Sequence, residues 1–194
     1  FYREHVAPRL AEAENRKAYV VISDAFRFEA AEELTRELNG KYRFAATLAS
    51  SLGVLPSYTA LGMASLLPHQ TLAYDTGGAV LADGKPTAGL AARGEILASV
   101  EGMAVKAEDL LAMRKEEGRE LVAGARVVYV YHNLIDAVGD KAASEGRVFE
   151  AAEDALKELE NLVRRLAGNN ASNLIITADH GFIFQNRPIH EGDY

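Results

Sequence analysis

Hydrophobic positions along the chain follow two alternating spacings, which predict strands and helices in turn. Short apolar runs rich in β-branched residues are typical of strands buried on both faces of a parallel sheet. Three such runs cover residues 18–22, 126–131 and 173–177, and a weaker candidate covers 42–48. The chain is therefore expected to contain a sheet of at least three strands.

Apolar residues at spacings of three and four predict helices before, between and after these strands. Asn39-Gly40 and Pro68 are typical helix stops, and Phe149 falls on the apolar side of the longest helix. The predicted helices cover residues 2–13, 28–38, 58–67, 107–122 and 145–166.

Residues 72–92 break this alternation, because Gly77-Gly78, Asp83-Gly84 and Pro86 interrupt short apolar pieces. Such punctuation is typical of a hairpin. The whole pattern predicts an α/β fold: a three-layer sandwich with a mainly parallel sheet and a small hairpin excursion at 72–92.

Composition narrows the function classes. The chain has 194 residues, 48% of them hydrophobic, a net charge of −7 and no cysteine. A disulfide framework, a cysteine-ligated zinc site and a thiol nucleophile are excluded, and the acidic balance disfavours a general nucleic-acid-binding surface. No apolar run approaches the roughly 20 residues of a membrane span and no signal-peptide pattern opens the chain, so a cytoplasmic location and no membrane contact are expected. Residues 1–194 are interpreted as a single domain, a fragment of a longer protein.

Acidic and imidazole side chains follow each of the three clear strands. Because the carboxyl ends of parallel strands meet at one sheet edge, these side chains are expected to lie together. A single aspartate in such a position often only caps the next helix, but several converging carboxylates repel unless a cation neutralises them. We therefore predict a divalent metal site, with His132 as an additional candidate ligand, built from Asp24, Asp136, Asp140, Asp179 and His180.

The order and spacing of these residues resemble the alkaline phosphatase superfamily. The matching motifs are Asp24, the segment 56–59, the segment 136–140 and the segment 179–181 with His190. Fuller stretches at residues 21–29, 55–68 and 175–184 resemble the PglZ domain of BREX phage-defence systems. The resemblance implies an alkaline-phosphatase-like core.

The resemblance also implies a threonine nucleophile and two divalent metal ions. Zn²⁺ is favoured, with Mn²⁺ or Mg²⁺ as alternatives. Coordination to a divalent cation lowers the pKa of a hydroxyl, and a second cation stabilises the leaving oxygen and then supplies hydroxide. Thr59 is the implied nucleophile. The implied ligands are Asp24, Thr59, Asp179 and His180 for one metal, and Asp136, Asp140 and His190 for the other.

Asp140 departs from the superfamily pattern, which usually has a histidine at that position of its motif. An aspartate there makes the second metal site more anionic and favours a harder cation. Arg27 and Asn133 follow their strands closely and are expected to contact non-bridging substrate oxygens. The alternatives are a surface ion pair for Arg27 and a turn residue for Asn133.

The main hypothesis is a metal-dependent phosphoesterase of a BREX-type phage-resistance system. The resemblance places it beside other BREX proteins, including a DNA methyltransferase, and a phosphodiester such as a nucleotide or nucleic-acid end is preferred over a small monoester. The alternative is a catalytically silent scaffold or interaction domain of the same complex. A phosphomutase is disfavoured, because the second domain usual in those enzymes is absent.

Overall fold

A computed structural model of the protein describes residues 1–11, 17–42, 44–139, 147–169, 171 and 173–182. The strands are β1 (Ala18–Ser23), β2 (Leu72–Tyr74), β3 (Val80–Ala82), β4 (Lys85–Pro86), β5 (Gly102–Lys106), β6 (Val127–His132) and β7 (Asn173–Thr177). The α-helices are α1 (Ala7–Ala11), α2 (Phe28–Tyr42), α3 (Thr59–Leu66), α4 (Gly89–Leu97), α5 (Ala107–Ala112), α6 (Lys115–Leu121), α7 (Leu134–Gly139) and α8 (Val148–Gly168). A π-helical turn over Tyr2–Val6 leads into α1, and a 3₁₀ turn over Ala98–Val100 follows α4.

The main sheet is parallel, with strand order β5-β6-β1-β7. The three clear strands predicted from the sequence are confirmed and lie side by side, with β1 between the other two. Ser23 at the end of β1 pairs with His132 at the end of β6, and Ile22 pairs with Thr177 at the end of β7. The residues that follow these strands therefore emerge at the same edge of the sheet.

Both faces of this sheet are covered by helices, which confirms the three-layer α/β sandwich. Alternate residues of β1 point to opposite faces. Tyr19 and Val21 pack with the buried sides of α2, α5 and α8, whereas Val20 and Ile22 pack with α3, α4 and the opening helical turns. Every residue of β1 is buried, and accordingly residues 18–22 are apolar without alternation, while Ser23 at the end of the strand is polar.

The predicted excursion contains a small antiparallel sheet of three short strands, β2, β3 and β4. Val80 of β3 packs against Leu61 and Ala64 of α3 in a separate hydrophobic cluster. The small sheet therefore lies against the helix that begins at Thr59.

Two predictions near residue 40 are wrong. Helix α2 continues through Asn39-Gly40 to Tyr42, and residues 44–48 form no strand. The side chain of Asn39 donates to the carbonyl of Ala46 at 2.9 Å and accepts from its N–H at 2.8 Å. These hydrogen bonds satisfy both backbone groups of Ala46, which a strand would have paired with a neighbouring strand.

The single helix predicted over 107–122 is two helices, and strand β5 before it was missed. Met113 and Arg114 adopt extended conformations, and the N–H of Arg114 donates to Glu117 at 2.8 Å to begin α6. The long final helix is confirmed over the described range Val148–Gly168. Phe149, however, is 48% exposed rather than buried, and its ring lies 6.4 Å from that of Phe182.

Among the described residues, no helix is long and apolar enough to cross a membrane.

Candidate metal and phosphoester site

The candidate site begins where β1 and β6 end. The N–H of Asp24 donates to the carbonyl of His132 at 2.8 Å, which continues the ladder one residue past the paired strands. Next to it, the Ser23 hydroxyl lies 2.9 Å from His132 Nδ1. Both Ser23 and His132 are buried, so this pair fixes the corner from which the Asp24 side chain leaves β1.

Three side chains converge just beyond the strands. His180 Nε2 lies 3.5 Å from Asp24 Oδ1 and 3.4 Å from Asp179 Oδ2. The ligand atoms of these residues all lie within 4.8 Å of one another, and both carboxylates are buried. Among the described residues, these three side chains form the cluster of histidine and carboxylate groups that has the spacing of a metal site.

The ring of His180 is oriented by a neighbouring backbone carbonyl. Nδ1 lies 2.9 Å from the carbonyl oxygen of Gly181. A carbonyl oxygen only accepts hydrogen bonds, so Nδ1 carries a proton and Nε2 is the nitrogen that faces the cluster. Metal-binding histidines usually show this arrangement, in which the nitrogen away from the metal donates to an oxygen.

Metal ions fit this donor set. Asp24 Oδ1 and Asp179 Oδ2 are buried without hydrogen-bond partners, and both face His180 Nε2. Two carboxylate oxygens that face an imidazole nitrogen without hydrogen bonds are held there by positive charge, which a metal ion or a proton on Nε2 supplies. Two carboxylate oxygens and an imidazole nitrogen are ligands that suit Zn²⁺ or Mn²⁺.

The Asp24 carboxyl is electrostatically perturbed. Burial, followed by the charges of Asp179 and Asp136, raises the pKa of Asp24 from 3.8 to about 7, while His180 opposes the shift. The carboxylate is therefore costly in the metal-free protein near neutral pH, and a bound cation removes that cost.

Thr59 is the first residue of α3, and its side chain points at the same cluster. The hydroxyl oxygen Oγ1 lies 2.9 Å from His180 Nε2. Tyr58 before it is extended and makes no side-chain cap, so the first N–H groups of α3 have no side-chain acceptor from the N-cap residue. Such N–H groups and the positive end of the helix dipole favour an anionic oxygen.

The structure places the other predicted residues as follows. Asp136 on α7 lies close enough to Asp24 to raise its pKa. Arg27 forms an ion pair with Glu29, and its guanidinium carbon lies 4.9 Å from the centre of the Phe182 ring. Asn133 is exposed directly after β6. Asp140 and His190 lie outside the described residues.

His132, the additional candidate ligand, is not part of the cluster. Its imidazole is buried against Ser23, and Nε2 lies 3.7 Å from Glu158 Oε1. Burial lowers the pKa of His132 to about 4, so the ring is neutral at physiological pH. This matches the simpler interpretation that it only forms hydrogen bonds where its strand ends.

Two residues that the sequence did not indicate also shape the cluster. The N–H of Ala25 donates to Asp179 Oδ1 at 3.3 Å, from a left-handed backbone conformation. Gly62 in α3 is in close contact with the backbone of Asp179. A glycine inside a helix is a weak signal of close approach, whereas nothing in the sequence marks a left-handed alanine.

Comparison with known proteins identifies the family of the chain. Residues 1–194 match the BREX system PglZ alkaline phosphatase-like domain. The chain belongs to this family. It is 45% identical over 196 residues to alkaline phosphatase-like protein BrxZ of Escherichia coli O9:H4 (strain HS). It is 39% identical, also over 196 residues, to alkaline phosphatase-like protein PglZ of Bacillus cereus (strain H3081.97).

Both alignments cover 100% of this chain but only 23% of each relative's length. No solved structure matches the chain. Membership in the PglZ family agrees with the parallel sheet between helical layers and with an Asp/His cluster at the carboxyl edge of that sheet.

Proposed function

We propose that this domain is a metal-dependent phosphoesterase that uses Thr59 as its nucleophile. The observation that carries the proposal is the 2.9 Å contact between Thr59 Oγ1 and His180 Nε2, the nitrogen that also faces the unpartnered oxygens of Asp24 and Asp179. A hydroxyl beside a cation-binding set, at the start of a helix, matches what attack on a phosphoester requires.

The residues of the site have separate roles in cation binding, nucleophilic attack and stabilisation of the phosphate. Asp24, Asp179 and His180, with Thr59, hold one cation. Thr59 loses its hydroxyl proton to solvent as Oγ1 forms a bond to phosphorus. The bond to the leaving oxygen breaks, that oxygen takes up a proton from solvent, and water later hydrolyses the phosphothreonine. The N-terminal N–H groups of α3 stabilise the negative phosphoryl oxygens.

The bound divalent cation supplies positive charge that lowers the pKa of the Thr59 hydroxyl and neutralises the phosphate. Zn²⁺ is the favoured ion, because the ligand set includes imidazole; Mn²⁺ and Mg²⁺ are the alternatives. Asp136 supports a second cation site, since its charge reaches Asp24. Asp140 and His190 remain predicted ligands of that site.

The favoured substrate class is a phosphodiester, such as a nucleotide or a nucleic-acid end, within a BREX-type defence system. The family description supports the defence setting. Interaction with other BREX proteins, a DNA methyltransferase among them, belongs to the same proposal. Arg27 supports substrate binding through its position three residues after Asp24, on the same loop as Ala25.

The test compares hydrolysis of a chromogenic phosphodiester and of its monoester by the wild type and Thr59→Ala. Each protein is assayed after chelation and again after addition of Zn²⁺, Mn²⁺ or Mg²⁺. Thr35→Ala is the matched control, because its hydroxyl also lies on a helix but only donates to the carbonyl of Ala31, at 2.8 Å.

The expected result is metal-dependent turnover that falls by a factor on the order of 10³ in Thr59→Ala and is unchanged in Thr35→Ala. The ratio of diester to monoester rates then ranks the substrate classes. A folded, metal-loaded wild type without turnover on either ester would favour the scaffold hypothesis instead.

A further inference from the structure

We propose that Gly62 is a positioning residue that sets the distance between Thr59 and the Asp179–His180 segment. Its expected effect on turnover rests on the proposed function, whereas the close contact between Gly62 and Asp179 does not depend on turnover. It concerns how closely α3 approaches the loop that follows β7.

An added Cβ at Gly62 would have no room. It would lie 2.5 Å from the carbonyl oxygen of Asp179, 2.9 Å from its carbonyl carbon and 3.0 Å from its Cβ. Ordinary contacts begin near 3.4 Å, and two of these three atoms are backbone, which has no alternative rotamer to adopt. Any side chain at position 62 therefore separates α3 from Asp179.

The displacement would reach the nucleophile directly. Thr59 precedes Gly62 by three residues, nearly one helical turn, so the two residues lie on the same face of α3. Asp179 and His180 are consecutive. The contact at Gly62 and the 2.9 Å contact between Thr59 and His180 thus join the same two segments.

The last turn of α3 and the Asp179 carboxylate are both anchored, which leaves the Thr59 end of α3 to move. The hydroxyl of Tyr129 on β6 donates to the carbonyl of Leu66 at 2.7 Å, which holds the last turn of α3 against the sheet. On the other side, the N–H of Ala25 holds the Asp179 carboxylate. An added methyl group would therefore act on the gap between Thr59 and His180, where the hydrogen bond would lengthen.

The experiment measures Zn²⁺ affinity by competition with a chromophoric chelator in the wild type, Thr59→Ala, Gly62→Ala and the double variant. Gly94→Ala is the matched control, because Gly94 lies inside α4 with nothing within 4 Å of an added Cβ. Thermal unfolding confirms that each variant is folded, and turnover is measured on the same samples.

We expect Thr59→Ala and Gly62→Ala each to weaken Zn²⁺ binding by roughly 10-fold, because Thr59 is itself a proposed ligand and Gly62 sets its distance from the cluster. The double variant should be no weaker than either single one, because both remove the same contact. Turnover of Gly62→Ala should fall by a factor on the order of 10² at nearly unchanged KM, while Gly94→Ala behaves as the wild type.

The proposal is overturned if Gly62→Ala matches Gly94→Ala in affinity and turnover, or if the two effects on affinity add. If Gly62→Ala does not fold, Tyr129→Phe replaces it, since that change removes only the hydroxyl that anchors α3. A several-fold fall in Zn²⁺ affinity of Tyr129→Phe supports the proposal, and unchanged affinity overturns it. A wild type without turnover refutes the proposed function, yet the affinity cycle still decides the role of Gly62.

Discussion

Ala25 donates its N–H to Asp179 Oδ1 at 3.3 Å from a backbone conformation with a φ of 59°. The hydrogen bond occupies one oxygen of the Asp179 carboxylate, so the other oxygen, Oδ2, faces His180. A left-handed alanine costs roughly 1–2 kcal/mol, and the surrounding packing has to maintain it. The turn after β1 therefore destabilises the fold slightly, and it orients a candidate metal ligand 154 residues away.

Two substitutions at Ala25 should separate the contributions of backbone strain and side-chain packing to the free energy of unfolding. Ala25→Gly relieves the left-handed strain but loses a buried methyl group, worth about 0.8 kcal/mol, so the free energy of unfolding should change by less than ~1 kcal/mol. Ala25→Val should lower it by about 2–3 kcal/mol, because a β-branched residue resists this conformation, and should weaken metal binding. Urea unfolding and metal titration of both variants check this. An Ala25→Val variant with unchanged free energy of unfolding and metal affinity would contradict this expectation.

The raised pKa of Asp24 predicts how the stability of the metal-free protein depends on pH. Below pH 3.8 the carboxyl is protonated in both states. Between pH 3.8 and about 7 the unfolded chain loses this proton while the folded protein keeps it, so the free energy of unfolding should fall as pH rises. Above pH 7 this contribution is constant. Unfolding curves of the wild type and Asp24→Asn across this range check the sign: the slope attributed to Asp24 should be absent in the variant.

The same pKa predicts proton release on metal binding. Below pH 7 a cation must displace the Asp24 proton, so calorimetry in two buffers of different ionisation enthalpy should detect that proton near pH 6. The part due to Asp24 should vanish above pH 8. Asp136→Asn should lower the pKa of Asp24, because it removes a like charge, and should move the release to lower pH. An unchanged profile in Asp136→Asn would contradict this electrostatic account.

Metal removal should destabilise the folded protein. A cation that binds only the folded state at 100 times its Kd raises the free energy of unfolding by about 2.7 kcal/mol, which for a protein of this size corresponds to a Tm increase of several degrees. Thermal unfolding with chelator and with added Zn²⁺ measures this difference. His180→Ala should abolish it, whereas His5→Ala, at an exposed histidine near the start of the chain, should preserve it.

Arg27 offers a test of substrate contact. Its guanidinium group pairs with Glu29 and lies over the ring of Phe182. If it also contacts a substrate oxygen, Arg27→Lys should raise KM about 5- to 30-fold, because lysine lacks the planar paired donors. Glu29→Gln, which frees the guanidinium, should leave KM unchanged or lower it. Equal KM values in all three proteins would restrict Arg27 to a structural ion pair.

The sequence predicted those parts of the fold in which local pattern and burial agree. Strands β1, β6 and β7 each contain an apolar run rich in β-branched residues, because helices cover both faces of the sheet, and such runs are distinctive. Strand β5 was missed because it begins at a glycine and has valine as its one β-branched residue, which leaves no distinctive apolar run. The false strand after α2 depended on a helix stop at Asn39, whose side chain is instead engaged with Ala46.

The candidate site was predicted to the extent that strand ends determine it. The positions of Asp24, Asp179 and His180 beside one another follow from two adjacent parallel strands, β1 and β7. The contact with Thr59 depends on how α3 packs, which no local pattern encodes, and so does the close approach at Gly62. Contacts that depend on helix packing, such as those of Thr59 and Gly62, are found only from atomic distances.

The strand order has a consequence for how the site assembles. Asp24 and the Asp179–His180 segment lie far apart in the sequence but side by side in the fold, because β1 pairs with β7, which follows it by more than a hundred residues. Contacts of such sequence separation require the entropic cost of closing a long loop. A nascent or truncated chain without β7 has neither Asp179 nor His180 in place. The candidate site is thus complete only once β7 has joined the sheet, so cation binding is expected to report on the assembled sheet.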